Sequence, residues 1–131
     1  MAVVWTFRTY VSARGEAEVP TWYDLQTLKV QATFDQRLRT LQQMEISEWR
    51  DPYSKRLKGK CDGLIEIRFL ADRVQHRPLG WFGPSQREFT ILFCAREIGD
   101  RFDPPNACEV ALGRKHEAIY DPRATRVFPV D

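Results

Sequence analysis

The chain has 131 residues and a net charge of +2, with 43% hydrophobic and 29% charged residues. That length and mix suit one globular domain spanning residues 1–131 and exclude wholesale disorder. No apolar run approaches the roughly 18 residues that a membrane span needs. The opening Met1-Ala2-Val3-Val4-Trp5 lacks a basic leader and a small-residue cleavage site, so no signal peptide and a cytoplasmic location are expected.

In chain order, residues 3–11 are rich in β-branched and aromatic side chains, with Trp5, Phe7 and Thr9 on one face. They predict a first strand. Thr21 is the expected cap of a long helix over residues 22–44. Leu25, Leu28, Ala32, Phe34, Leu38 and Leu41 would form its apolar stripe. Pro52 breaks any helix in the mixed segment that follows, where Ile46 and Trp49 look like anchors and a short helix has room. Residues 64–70 alternate, placing Ile65, Ile67 and Phe69 on a buried face and Glu66 and Arg68 on the other. Ala71-Asp72-Arg73 reads as a hairpin connection. Residues 74–82 form the next strand, with Pro78 marking an edge or a bulge. Residues 88–95 form a nearly continuous apolar strand. A loop over residues 96–102 leads to Asp103 as cap and Pro104 as first residue of a helix ending near Tyr120, with Cys108, Leu112, Lys115 and Ile119 on one face. The tail holds Val127, Phe128 and Val130, which suit a last extended segment.

The predicted fold class is therefore α+β: an N-terminal strand and long helix, three antiparallel strands, and a C-terminal helix packed on the sheet.

Charge is unevenly spread. Between Lys55 and Arg77 stand seven basic residues against Asp62, Glu66 and Asp72. Such a local positive field can hold a polyanion even at low net charge. Cys61, Cys94 and Cys108 are odd in number and widely spaced, so reduced thiols are expected rather than a disulfide framework or a metal site. With two histidines and no phosphate-cradling glycine loop, no metal and no cofactor are expected.

Several motifs together resemble the phage-derived HigB-like branch of the RelE/ParE toxin superfamily. Leu57-Lys58-Gly59-Lys60 precedes Gly63-Leu64-Ile65-Glu66-Ile67-Arg68, matching a Leu-Lys-Gly turn and an arginine-bearing strand. Arg77-Pro78-Leu79-Gly80, followed by aromatics and Gly83, matches a second such strand. Residues 89–94, Pro104, and a closing helix with Glu109, Ala111 and Arg114 complete the series. The likeness covers residues 49–119 best. One departure is Ile98, which stands where one branch has a lysine; Arg96 and Arg101 flank it.

The resemblance implies metal-independent cleavage of mRNA on the ribosome by attack of a 2′-hydroxyl on the adjacent phosphate, as the toxin of a type II toxin–antitoxin pair. It implies an antitoxin partner carrying a helix-turn-helix domain, and no membrane partner. Arg68 and Arg77 would stabilise the phosphorane, because guanidinium forks hold phosphate oxygens and stay charged. His116 or Tyr120 would act as general acid or base. Lys55, Lys58, Lys60, Arg96 and Arg101 would contact the RNA backbone, and Trp81 and Phe82 would pack in the core or stack on a base. Two other readings stand beside this one: a non-catalytic RNA- or protein-binding module, which Ile98 favours, and a gyrase-directed ParE-like toxin.

Overall fold

A computed structural model describes residues 4–130 of the chain. Val3, the expected start of the first strand, lies outside the described residues, as do Met1 and Ala2, on which the expected absence of a signal peptide partly rests, and the tail residue Asp131. The elements in order are β1 (Thr6–Tyr10), α1 (Glu18–Asp24), α2 (Leu28–Gln42), β2 (Ser54–Arg56), β3 (Ile65–Ile67), β4 (Phe69–Ala71), β5 (Val74–Phe82), β6 (Glu88–Ile98), β7 (Arg101–Asp103), α3 (Ala107–Tyr120) and β8 (Thr125–Val127).

The α+β class stands, but the predicted RelE-like layout does not. Among the described residues there is one mixed sheet of eight strands with three α-helices. Its order is β2-β3-β5-β6-β1-β8, with β4 also on β5 and β7 also on β6. β1 runs parallel to β6, pairing Phe7 with Phe89, whereas the other pairs are antiparallel.

The departures have local causes. The long helix is two helices, because Thr27, extended at φ −66° and ψ 160°, breaks the run and caps the second one by accepting from the Val30 amide. Thr21 lies inside α1 and caps nothing. The buried face of α2 is Val30, Phe34, Leu38 and Leu41; Leu25 and Leu28 are exposed. The expected single strand over 64–70 is interrupted at Arg68, whose amide donates to Tyr53 O. Asp72 and Arg73 both adopt positive φ, turning β4 tightly into β5. Pro78 lies in an interior strand beside a register shift at Leu79/Gly80, so the bulge alternative holds and the edge alternative does not. Gly80 is forced there: a Cβ would fall 2.2 Å from Thr90 O. The expected loop over 96–102 is mostly a hairpin, β6 running on to Ile98 and turning through Gly99 into β7. Asp103 belongs to that hairpin, and α3 begins later, after Asn106. Ile119 is exposed, and the buried face of α3 is Ala107, Cys108, Ala111 and Ala118. The tail does dock, through β8 on β1.

The sheet separates two cores. On one face, α2 covers Phe7, Ile65, Ile67, Phe69, Phe89 and Ile91, with Trp49 and Trp5 at the end. On the other, α3 covers Leu64, Leu79, Leu92 and Ala95. No described helix is long and apolar enough to cross a membrane.

The expectation of reduced thiols is overturned for two cysteines. Cys61 and Cys108 form a disulfide, and Cys94 remains free and partly buried. The bond joins the turn before β3 to the first turn of α3 across 47 residues of chain. Closing a loop of that length is worth about 4 kcal/mol in the chain-entropy picture. The double variant Cys61→Ser/Cys108→Ser is therefore expected to unfold at clearly lower denaturant. Equal midpoints for variant and wild type without reductant would contradict this.

Candidate functional site

The face of the sheet opposite α2 turns polar at Glu66 and Arg77. Alternation along β3 sends Ile65 and Ile67 into the α2 core, so Glu66 points to the opposite face. It stands beside Lys55, its register partner on β2, and Leu79 on β5. Arg77, two residues before Leu79, points to the same face and meets it.

The Glu66 carboxylate lies 3.2 Å from Arg68 Nε and 3.5 Å from Arg77 Nε. Arg77 is almost wholly buried. Its Nε is 3.2 Å from Glu97, Nη1 donates to His76 O at 2.9 Å, and Nη2 donates to Gln75 Oε1 at 3.1 Å. Arg68 is about one-quarter exposed and also bridges to Asp51, which is 71% exposed. From α2, Arg37 donates to Arg68 O at 2.7 Å and lies over the Tyr53 ring. These groups surround an open cleft of about 320 Å³, lined by Arg37, Asp51, Arg68, Leu70, Gln75 and Arg77.

Burial pushes the Glu66 carboxyl above its ordinary range, while Arg77 and Arg68 pull it back down. Glu66 does not line the cleft. It sits behind the guanidiniums and holds them, which makes it a positioning residue. A folded-state pKa raised above the unfolded one gives stability that is present at low pH and lost as pH rises through the folded value. Glu66→Gln is therefore expected to flatten the stability profile in the window above about pH 4.3, the ordinary glutamate value. Denaturant midpoints measured from pH 4 to 8 check this; parallel profiles for variant and wild type would refute it.

Of the residues singled out in the sequence, Arg68 and Arg77 come together in the cleft, with Lys55 beside Glu66. Lys58 and Lys60 flank the disulfide turn and are exposed. Arg96 pairs in register with His76 and so faces the other side of the sheet from Arg77, bound to Asp103. Arg101 lies on β7, and Ile98 is exposed at the β6–β7 turn. His116 and Tyr120 meet edge-on, ring centroids 5.1 Å apart, on the outer surface of α3, outside the cleft. Phe82 is a core ring, within about 5 Å of Trp5, Trp49 and Phe89. Trp81, like Phe82, also lines a second hollow with Arg56 and Lys115.

The sequence reading assigned no part to Arg37, Asp51, Glu66, Gln75 or Glu97. The signal for Glu66 was present: a carboxylate two residues from an arginine on a strand whose other face is apolar. Arg37 and Asp51 carried none, since only the tertiary fold brings them to Arg68.

Compared with known proteins, the chain matches no protein-family model, no curated protein and no solved structure.

Proposed function

We propose that the chain is a toxin that cleaves mRNA, with the Arg68–Arg77 cleft as its phosphate site. The supporting observation is the cleft itself: Arg37, Arg68 and Arg77 line it, and Asp51 is its one lining carboxylate. Arginine suits a phosphodiester because its fork takes two oxygens and keeps its charge when partly desolvated. An RNA phosphate competes with Asp51 for Arg68. That exposed ion pair costs little to open, since pairs of its kind are worth about 0–1 kcal/mol.

In the proposed reaction the 2′-hydroxyl oxygen attacks phosphorus and the bond to the 5′ oxygen breaks. A 2′,3′-cyclic phosphate and a 5′-hydroxyl remain. The proton lost by the 2′-hydroxyl passes to Asp51 or water, and the departing 5′ oxygen takes one from solvent. Arg68 and Arg77, fixed by Glu66, Gln75 and Glu97, face the charge that builds on the phosphorane oxygens. Preorganised cations of this kind need no reorganisation as the charge develops. The ribosome and a helix-turn-helix antitoxin are the partners this reading implies.

A specific observation favours a second reading, a binding module without turnover. Arg77 already binds internal acceptors through all three of its nitrogens, and neither His116 nor Tyr120 lines the cleft. Induced expression in a bacterial host carrying an SOS reporter separates the readings. Growth arrest with fragmented mRNA and a silent reporter is expected. Normal growth with soluble, folded protein would leave the binding module, and a firing reporter with intact mRNA would indicate gyrase.

A further inference from the structure

The hollow that Trp81 lines is open, has a volume of about 310 Å³ and shares no lining residue with the arginine cleft. Arg56 comes to it from β2, Asp62 and Gly63 from the turn before β3, Trp81 and Phe82 from β5, and Lys115 from α3. The remaining lining residues are apolar. Two of its side chains are held in place by glycines. The half-buried Lys115 ammonium donates to Gly63 O at 3.0 Å. Gly63 has φ +92°, and a Cβ there would stand 3.0 Å from Lys115 Nζ. Glycine therefore serves both the backbone turn and the seating of the ammonium. The Cys61–Cys108 bond ties the same turn to α3. The Trp81 ring lies against Gly83, where a Cβ would fall 2.4 Å from the indole.

The cations of this hollow lack carboxylate partners. Lys115 has one acceptor, a neutral carbonyl, which leaves two of its three N–H groups without a protein partner. Arg56 is exposed and makes no ion pair or side-chain hydrogen bond among the described residues, and the same holds for Lys58 and Lys60 on the adjoining turn. By contrast, Arg8, Arg87, Arg96, Arg114 and Arg123 each pair with a carboxylate. Asp62 is the one acid of the lining; it is exposed and pairs with neither cation. The hollow thus keeps a positive balance that an anion can neutralise. A carboxylate has two oxygens and fills a guanidinium fork alone, whereas a phosphate has oxygens for the fork and for an ammonium as well. Trp81 and Phe82 add apolar surface for whatever group the phosphate carries.

We infer that the Trp81 hollow binds a phosphate ester, with Arg56 and Lys115 on the phosphate and the Trp81 ring against the esterified group. The site does not depend on RNA cleavage at the arginine cleft. The same chemistry comes from a free nucleotide or from a nucleotide unit of an RNA strand.

The test is calorimetric titration of the full chain with adenosine monophosphate, adenosine, inorganic phosphate, a short oligoglutamate and a short single-stranded RNA of mixed sequence. Saturable binding of the monophosphate with a Kd of about 1 mM or tighter is expected. Adenosine and inorganic phosphate, each lacking half of the ligand, should bind more weakly than the monophosphate. Binding of the RNA without the monophosphate, lost in the variants below, would assign the site to a strand. Arg56→Gln and Lys115→Gln should each weaken whichever binding is seen at least about tenfold, the scale of one lost charged hydrogen bond. Arg56→Gln should keep the wild-type melting temperature, because the side chain is exposed and unpaired. Arg68→Ala should leave this binding intact, so failure of the cleft and failure of this site read out separately. Three results would overturn the inference: no saturable binding of the monophosphate or the RNA, binding unchanged in both glutamine variants, or oligoglutamate bound as tightly as the phosphate ligands.

Discussion

Replacing Arg68 with alanine is expected to cut RNA cleavage by about two to three orders of magnitude, the cost of removing one preorganised donor at a developing anion. The fold should survive. The Arg68 side chain is about one-quarter exposed, and its partner Asp51 is largely in solvent, so that pair contributes little to stability. Glu66 would keep Arg77 as a counter-ion. The expected signature is a large loss of rate with a denaturation midpoint close to wild type. Arg68→Lys should restore only part of the activity, because an ammonium keeps the charge but not the fork. Full activity in Arg68→Ala would remove this residue from the proposed reaction.

Arg77→Ala should behave differently and lower the unfolding free energy by about 3–5 kcal/mol, the range for breaking a buried ion pair. The reason is what remains. Glu66 is as deeply buried as Arg77, at 4% side-chain exposure each, and would be left with Arg68 alone. Glu97 and Gln75 would lose their partner too. The double variant Glu66→Leu/Arg77→Met removes both buried charges and should recover most of that loss, since apolar replacement of a buried pair is often near neutral. Urea melts of the three proteins check the pattern. A single variant as stable as wild type would show that the cluster is not desolvated as described.

Much of the α2 side of the sheet was legible from period-two alternation. Ile65, Ile67 and Phe69 are buried as the pattern required, and residues 74–82 form a strand with those bounds. Helix bounds were less legible, because an apolar stripe does not say which threonine will leave the helix. Thr27 does so, and the stripe consequently shifts from Leu28 to Val30. The parallel pairing of β1 with β6 and the late docking of β8 depend on contacts between distant residues, for which local periodicity carries no signal. The disulfide was hidden for the same reason: two cysteines far apart in the chain meet only after α3 folds back over the turn before β3.

The candidate site was half legible. Arg68 and Arg77 stood out because charged residues on strands with an apolar opposite face must point away from one core. Their real setting is less exposed than a surface pair. Glu66, Gln75 and Glu97 enclose Arg77, and Arg37 arrives from a helix that the sequence assigned wholly to packing. His116 and Tyr120 were expected as acid or base from the resemblance and their chemistry, and the fold turns them outward.

If this cleft breaks RNA, the ends it leaves report on the cleavage most directly. A cell-free translation reaction supplied with wild-type protein or Arg68→Ala, followed by mapping of new RNA termini, is the decisive measurement. Wild type is expected to produce 5′-hydroxyl and 2′,3′-cyclic phosphate ends within reading frames, with Arg68→Ala producing few or none. Intact mRNA with the folded wild-type protein, or equal cutting by the variant, would contradict the account.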